Sequence, residues 1–192
     1  MTTRHVRVRM ERASATGALE RAVASIVGVP LEEVVIDSRC DDCGRPHGKP
    51  RVLVPRAADG SEIVVSKSSA AGLVVTAVSA DARGGELGVD VESLIQVSRA
   101  RVDEVAFADA ERDLIDDEPP ATRGMLRTRL WSRKEAYLKA TGRGLRIDLT
   151  TVDLACGRLD DVVIVDVPVP DPSLVLTVAM LGRDPVVVEL AD

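Results

Sequence analysis

Apolar residues recur at two different periods along the chain, and each change of period marks a new element. Over residues 10–29, Leu19, Val23, Ile26 and Val27 fall at helical spacing and the run ends at Gly28 before Pro30, predicting a first helix. EEVVID reads as a short strand, followed by the Gly- and Pro-rich loop CDDCGRPHGKP. SEIVVSKSS and GLVVTAVSA read as strands, and the turn at Gly84 and Gly85 leads into ELGVDVES, expected to pair as in a β-hairpin. A helical stretch over residues 98–115 is broken at Pro119 and Pro120, and a longer helix is predicted from about Thr122 to Thr141, stopping at Gly142. IDLTTVDLA, DDVVIVDVPV, SLVLTVAML and PVVVEL then alternate in short strands, predicting a second antiparallel sheet. The order of elements is α+β rather than alternating β-α-β.

Two of these elements carry unusual charges. In GVDVE, strand alternation sends Leu87, Val89 and Val91 to one face and Gly88, Asp90 and Glu92 to the other. Two carboxylates side by side repel, and they require water, a basic partner or a metal; a solvated strand edge is the alternative. On the long helix, Leu126, Leu130, Trp131, Tyr137 and Leu138 share one arc, with both aromatics expected to pack in the core. Glu135 and Lys139 lie beyond its edge at i, i+4 spacing, where a surface ion pair is the simplest reading. Lys134 projects within the apolar arc and must snorkel or meet an anion.

Composition narrows the class. At 192 residues, 45% hydrophobic and 29% charged, the chain can bury a full core as one domain or two small lobes, and no apolar run approaches a membrane span. The start, MTTRHVRVRMERAS, lacks the apolar core of a signal peptide, which predicts a cytoplasmic protein. A formal charge of −6 argues against a general nucleic-acid binder. Between Arg123 and Arg146, however, Arg123, Arg127, Arg129, Arg133, Lys134, Lys139, Arg143 and Arg146 face the single acid Glu135, predicting a basic face for an anionic partner or ligand. The cysteines are Cys40, Cys43 and Cys156, an odd number that suits a reducing compartment. Cys40, Cys43 and His47 have zinc-ligand spacing, with Cys156 a distant fourth candidate; free thiols are the commoner outcome.

GVDVE followed by WSRKEAYLKATGRGL resembles the paired signatures of the 4′-phosphopantetheinyl transferases of the surfactin-synthetase-activating type, G-[VI]-D-[VI]-E and W-[ST]-x-K-E-[AS]-x-x-K-x-x-G-x-G-L. CGRPHGKP and FADAERDLI also resemble segments of that family, so the resemblance runs over roughly residues 17–180. It implies Mg²⁺-dependent transfer of the phosphopantetheine arm of coenzyme A to a serine of an acyl or peptidyl carrier protein, releasing 3′,5′-ADP. It further implies that Asp90, Glu92 and Glu135 hold the metal, that Lys139 contacts the pyrophosphate, and that Glu135 accepts the serine proton. Lys49 would contact a coenzyme A phosphate, assisted by Arg45 and His47. The family's S-H-[ST] reads here as Ser68 and Ser69, with Ser69 in the histidine's place.

The same resemblance implies a monomer of two similar α+β halves, residues 1–88 and 89–192, related by pseudo-twofold symmetry with coenzyme A between them. A non-catalytic relative that binds coenzyme A or a carrier protein is the alternative. A zinc-stabilised interaction module built on Cys40, Cys43 and His47 is a third reading.

Overall fold

The computed structural model describes residues 3–12, 16–100, 103–155, 158–159 and 161–191. Its first element is a strand, β1 (Arg4–Arg12), where Val6, Val8 and Met10 alternate with charged residues and both valines are fully buried. The predicted first helix is therefore shorter: α1 is Ala18–Val27, and it does stop at Gly28. The strands β2 (Val35–Asp37) and β3 (Arg51–Val54) form a two-stranded ladder around the loop of residues 38–50; β3 was not predicted, being short and largely exposed.

β4 (Val64–Ala70) and β5 (Leu73–Ser79) make the hairpin of the first sheet, whose order is β10-β1-β5-β4. β6 (Leu87–Ser93) does not pair with β5 as expected. It opens a second sheet, ordered β6-β9-β8-β7, with β7 at Arg158–Leu159, β8 at Val162–Val167 and β9 at Leu174–Leu181. The reason lies in its apolar face: Leu87, Val89 and Val91 bury themselves by stacking on Val6, Val8, Val75 and Ala77 of the first sheet, a contact that in-plane pairing with β5 would not give. The last strand, β10 (Val186–Ala191), was expected in the second sheet; it returns instead to the first, parallel to β1, with Val6 opposite Val188.

The helical stretch predicted over 98–115 is divided into α2 (Leu94–Arg99), α3 (Asp103–Ala106) and α4 (Asp109–Asp117). Fully buried Phe107 interrupts it, and the Glu111 carboxylate accepts the Ala108 N–H at 2.9 Å to start α4. α5 (Pro120–Thr141) begins on its second proline, where a missing N–H is harmless, and ends at Gly142. α1 covers the outer face of the first sheet through Leu19, Ala22 and Val23, and α5 covers the outer face of the second through Ala136 and Ala140. The whole is a mixed α+β arrangement in which the described strand pairs other than β1 with β10 are antiparallel, and no helix among the described residues is long and apolar enough to cross a membrane.

Candidate active site

The edge strands of the two sheets, β4 and β6, meet side by side, and Ser66 Oγ accepts the Val89 N–H at 3.0 Å across the junction. α5 lies directly over β6 because residue 88 is glycine: a Cβ there would stand 1.9 Å from the Ala136 carbonyl oxygen. That close approach sets the Asp90 and Glu92 face of β6 against α5. Lys139 Nζ donates to Asp90 Oδ1 at 2.7 Å and to Ser68 Oγ at 2.8 Å, and Ser68 Oγ donates to the same carboxylate oxygen at 2.9 Å. The i, i+4 surface pair expected between Glu135 and Lys139 is replaced by this inward contact. Trp131, expected only to pack, donates its indole N–H to Glu92 Oε1 at 2.9 Å.

Asp90 is 2% exposed, and its second oxygen, Oδ2, is buried without a hydrogen-bond partner among the described residues. Burial pushes its carboxyl upward, against the pull of Lys139. Glu92 is pushed up to about 7, first by burial and then by the charge of Asp90, with Trp131 opposing. Glu135 is raised for the same two reasons. Three carboxyls thus share one electrostatic environment, although their oxygens do not draw together as closely as the donors of Cys40, Cys43 and His47, which lie within 4.8 Å of one another. An orphaned buried carboxylate oxygen beside two further carboxyls is a donor set that could hold a hard divalent cation.

A cavity of about 860 Å³ opens beside this cluster, between β4, the end of α5 and the loop of residues 38–50. Lys49, Lys67, Lys139, Arg143 and Arg146 line it together with the acids Asp42 and Glu135, so an acidic protein presents a cleft with an excess of cations. His47 also lines it. Lys49 Nζ is tied to the Ala140 carbonyl at 2.7 Å and to Glu86 at 2.6 Å, anchoring the loop on α5. Arg45 is exposed on the same loop but outside the lining, and Ser69, on the face of β4 opposite Ser68, is exposed and outside it as well. Cys156 lies outside the described residues.

The basic face expected along α5 is largely internal. Arg127 Nε donates to Asp103 at 2.7 Å, and Arg133 donates to Asp166 at 2.7 Å and to the carbonyls of Leu154 and Ala155. Lys134 and Glu111 are both fully buried and 2.6 Å apart, which answers the cation expected in the apolar arc. Of the four α5 arginines, Arg129 alone is exposed.

Residues 86–162 match the family model of the 4′-phosphopantetheinyl transferase superfamily. The match runs from just before β6 to the first residue of β8 and takes in Asp90, Glu92, Glu111, Trp131, Lys134, Glu135 and Lys139. Ser68 and the loop of residues 38–50 lie before it. Comparison with curated proteins finds no match. The superfamily match points to phosphopantetheine transfer, the chemistry that its name describes.

Proposed function

We propose that the protein is a transferase of the surfactin-synthetase-activating type, moving the phosphopantetheine arm of coenzyme A onto a serine of an acyl or peptidyl carrier protein. The observation that carries this reading is the juxtaposition of the five-cation cavity with a buried carboxylate oxygen that has no partner among the described residues, Asp90 Oδ2. Coenzyme A brings phosphates that suit the cations, and a pyrophosphate transfer needs charge neutralisation where the carboxylates stand. Residues 1–88 and 89–192 are read as related halves that meet at β4 and β6 and enclose the coenzyme.

Asp90, Glu92 and Glu135 would hold Mg²⁺, which would neutralise charge on the pyrophosphate. Lys139 binds pyrophosphate oxygen while Asp90 and Ser68 fix its ammonium in place. Arg143, Arg146 and Lys67, on the cavity wall, orient the remaining phosphates. The serine hydroxyl attacks the phosphorus that carries the pantetheine arm, the bond to 3′,5′-ADP breaks, and the serine proton passes to the Glu135 carboxylate. The test is mass spectrometry of a panel of apo carrier proteins incubated with coenzyme A, Mg²⁺ and this protein. One added phosphopantetheine on any of them supports the reading. Coenzyme A binding without transfer to any of them would leave a binding relative.

A further inference from the structure

The loop of residues 38–50 carries a second constellation, separate from the carboxylates. Cys40, Cys43 and His47 place their donor atoms within 4.8 Å of one another, with Cys43 Sγ 3.0 Å from His47 Nε2. We propose that these three side chains bind one zinc ion, its fourth position taken by solvent, and that the ion staples the loop forming one wall of the cavity.

Tetrahedral zinc, with bonds of about 2.3 Å to sulfur and about 2.0–2.1 Å to nitrogen, needs donors separated by roughly 3.5–3.8 Å. The three donors reach that arrangement with small side-chain rotations. The backbone already provides the turn. Gly44, at φ +70°, donates its N–H to the Cys40 carbonyl at 2.8 Å, and the Arg45 carbonyl accepts from Cys40 N–H at 2.8 Å and from His47 N–H at 2.9 Å. Gly48 closes the loop by donating to the Ser38 carbonyl at 2.7 Å, and a Cβ there would meet the Arg39 carbonyl oxygen at 2.6 Å. A site organised before the ion arrives binds it at lower cost.

The donors suit zinc rather than magnesium. Thiolate and imidazole favour borderline and soft cations, and two thiolates balance a dication. Both cysteines are thiols rather than a disulfide. Cys43 and His47 are exposed, so an ion has free entry. As a zinc ligand, His47 shapes the cavity wall instead of contacting a phosphate, while Lys49, two residues on, fastens the stapled loop to α5.

The test is elemental analysis of untagged protein purified from zinc-supplemented cells, followed by exchange to Co²⁺. About one zinc per chain is expected, and the cobalt protein should show thiolate-to-metal charge transfer and intense tetrahedral d–d bands. Cys40→Ser, Cys43→Ser and His47→Ala should each lose the metal while keeping the wild-type far-UV circular dichroism. His47→Cys should retain it with stronger charge transfer, which guards against a loss caused by misfolding. Absence of zinc and of cobalt bands in the wild type would overturn the site. So would a Cys40–Cys43 disulfide in freshly purified protein, or stoichiometric zinc that survives all three disruptive substitutions. None of these measurements reads transfer, so the zinc site and the transferase reading stand or fall separately.

Discussion

Glu92 occupies a position where ionisation is unfavourable, and that has a measurable consequence. The unfolded chain releases this proton near an ordinary 4.5, while the folded protein keeps it up to about 7. Between those values the folded state binds more protons, so its stability declines as pH rises, and Asp90 and Glu135 act in the same direction. In chelator, Glu92→Gln should therefore lose less Tm than wild type between roughly pH 5 and pH 8, and Mg²⁺ should raise the wild-type Tm most at the alkaline end. Parallel curves for the two proteins would show that the carboxyl is not raised. Trp131→Phe removes the donor that favours the ionised form, so the acid limb of a pH–rate profile should move to higher pH. At the proposed general base, Glu135→Gln should lower kcat by about 10²–10⁴-fold with little change in Tm, read by single-turnover transfer to a carrier protein. At this scale strand alternation in GVDVE put Asp90 and Glu92 on one face, whereas helical spacing alone read Glu135 and Lys139 as a surface pair, and only the resemblance to the transferase signatures grouped the four. The indole contact was not legible, because Trp131 sits where an apolar residue belongs and only its N–H reveals the second role.

The packing of α5 on β6 is the element on which the site depends. Gly88→Ala would place a methyl group on the Ala136 carbonyl, and backbone at both sides leaves no flexible neighbour to yield. A loss of about 3 kcal/mol, at the upper end of ordinary overpacking, is expected in chemical denaturation, together with reduced activity as Lys139 moves from Asp90. At the other side of α5, Lys134 Nζ also donates to the Leu149 and Val152 carbonyls, so one buried cation joins α4, α5 and the segment after α5. Lys134→Met should cost about 3–5 kcal/mol by leaving Glu111 buried without its cation. Adding Glu111→Gln should recover part of the loss, and a double variant no better than the single would count against the pair as the cause. The need for an anion near Lys134 was readable from its place in an apolar arc. Glu111 as the partner was not, since the contact spans a chain reversal that no local pattern encodes. β1 was hidden differently: Val6, Val8 and Met10 do alternate, but three apolar positions make a short signal, and the predicted helix, begun at residue 10, took in Met10.

Across the whole molecule, the placement of charge separates residues that hold the fold from those that face a ligand. The net charge is −6, yet five cations converge on one cavity. Sequence alone grouped Arg123, Arg127, Arg129, Arg133, Lys134, Lys139, Arg143 and Arg146 as one face, because it carries no information on which acids lie across from them. Likewise, nothing local in β10 announces that it crosses to β1, since parallel pairing is decided by distant strands. In the structure Arg127 and Arg133 are 12% and 15% exposed in side chain and are spent on Asp103 and Asp166. Arg143 and Arg146 are exposed on the cavity wall, and the Arg146 pair with Asp42 is at the surface, where such pairs contribute about 0–1 kcal/mol. Charge reversal should therefore divide the set. Arg127→Glu and Arg133→Glu place like charge against a carboxylate and strand backbone carbonyls, so both should lower Tm strongly or fail to fold. Arg143→Glu and Arg146→Glu should fold with near-wild-type Tm but raise the KM for coenzyme A about 10-fold or more at low salt, with the penalty shrinking as ionic strength rises past about 0.15 M. Thermal melts paired with coenzyme A titrations at two salt concentrations check both arms. If Arg143→Glu and Arg146→Glu both bind coenzyme A as wild type does, the cavity is not the phosphate site, and the carboxylate cluster must be approached from another side.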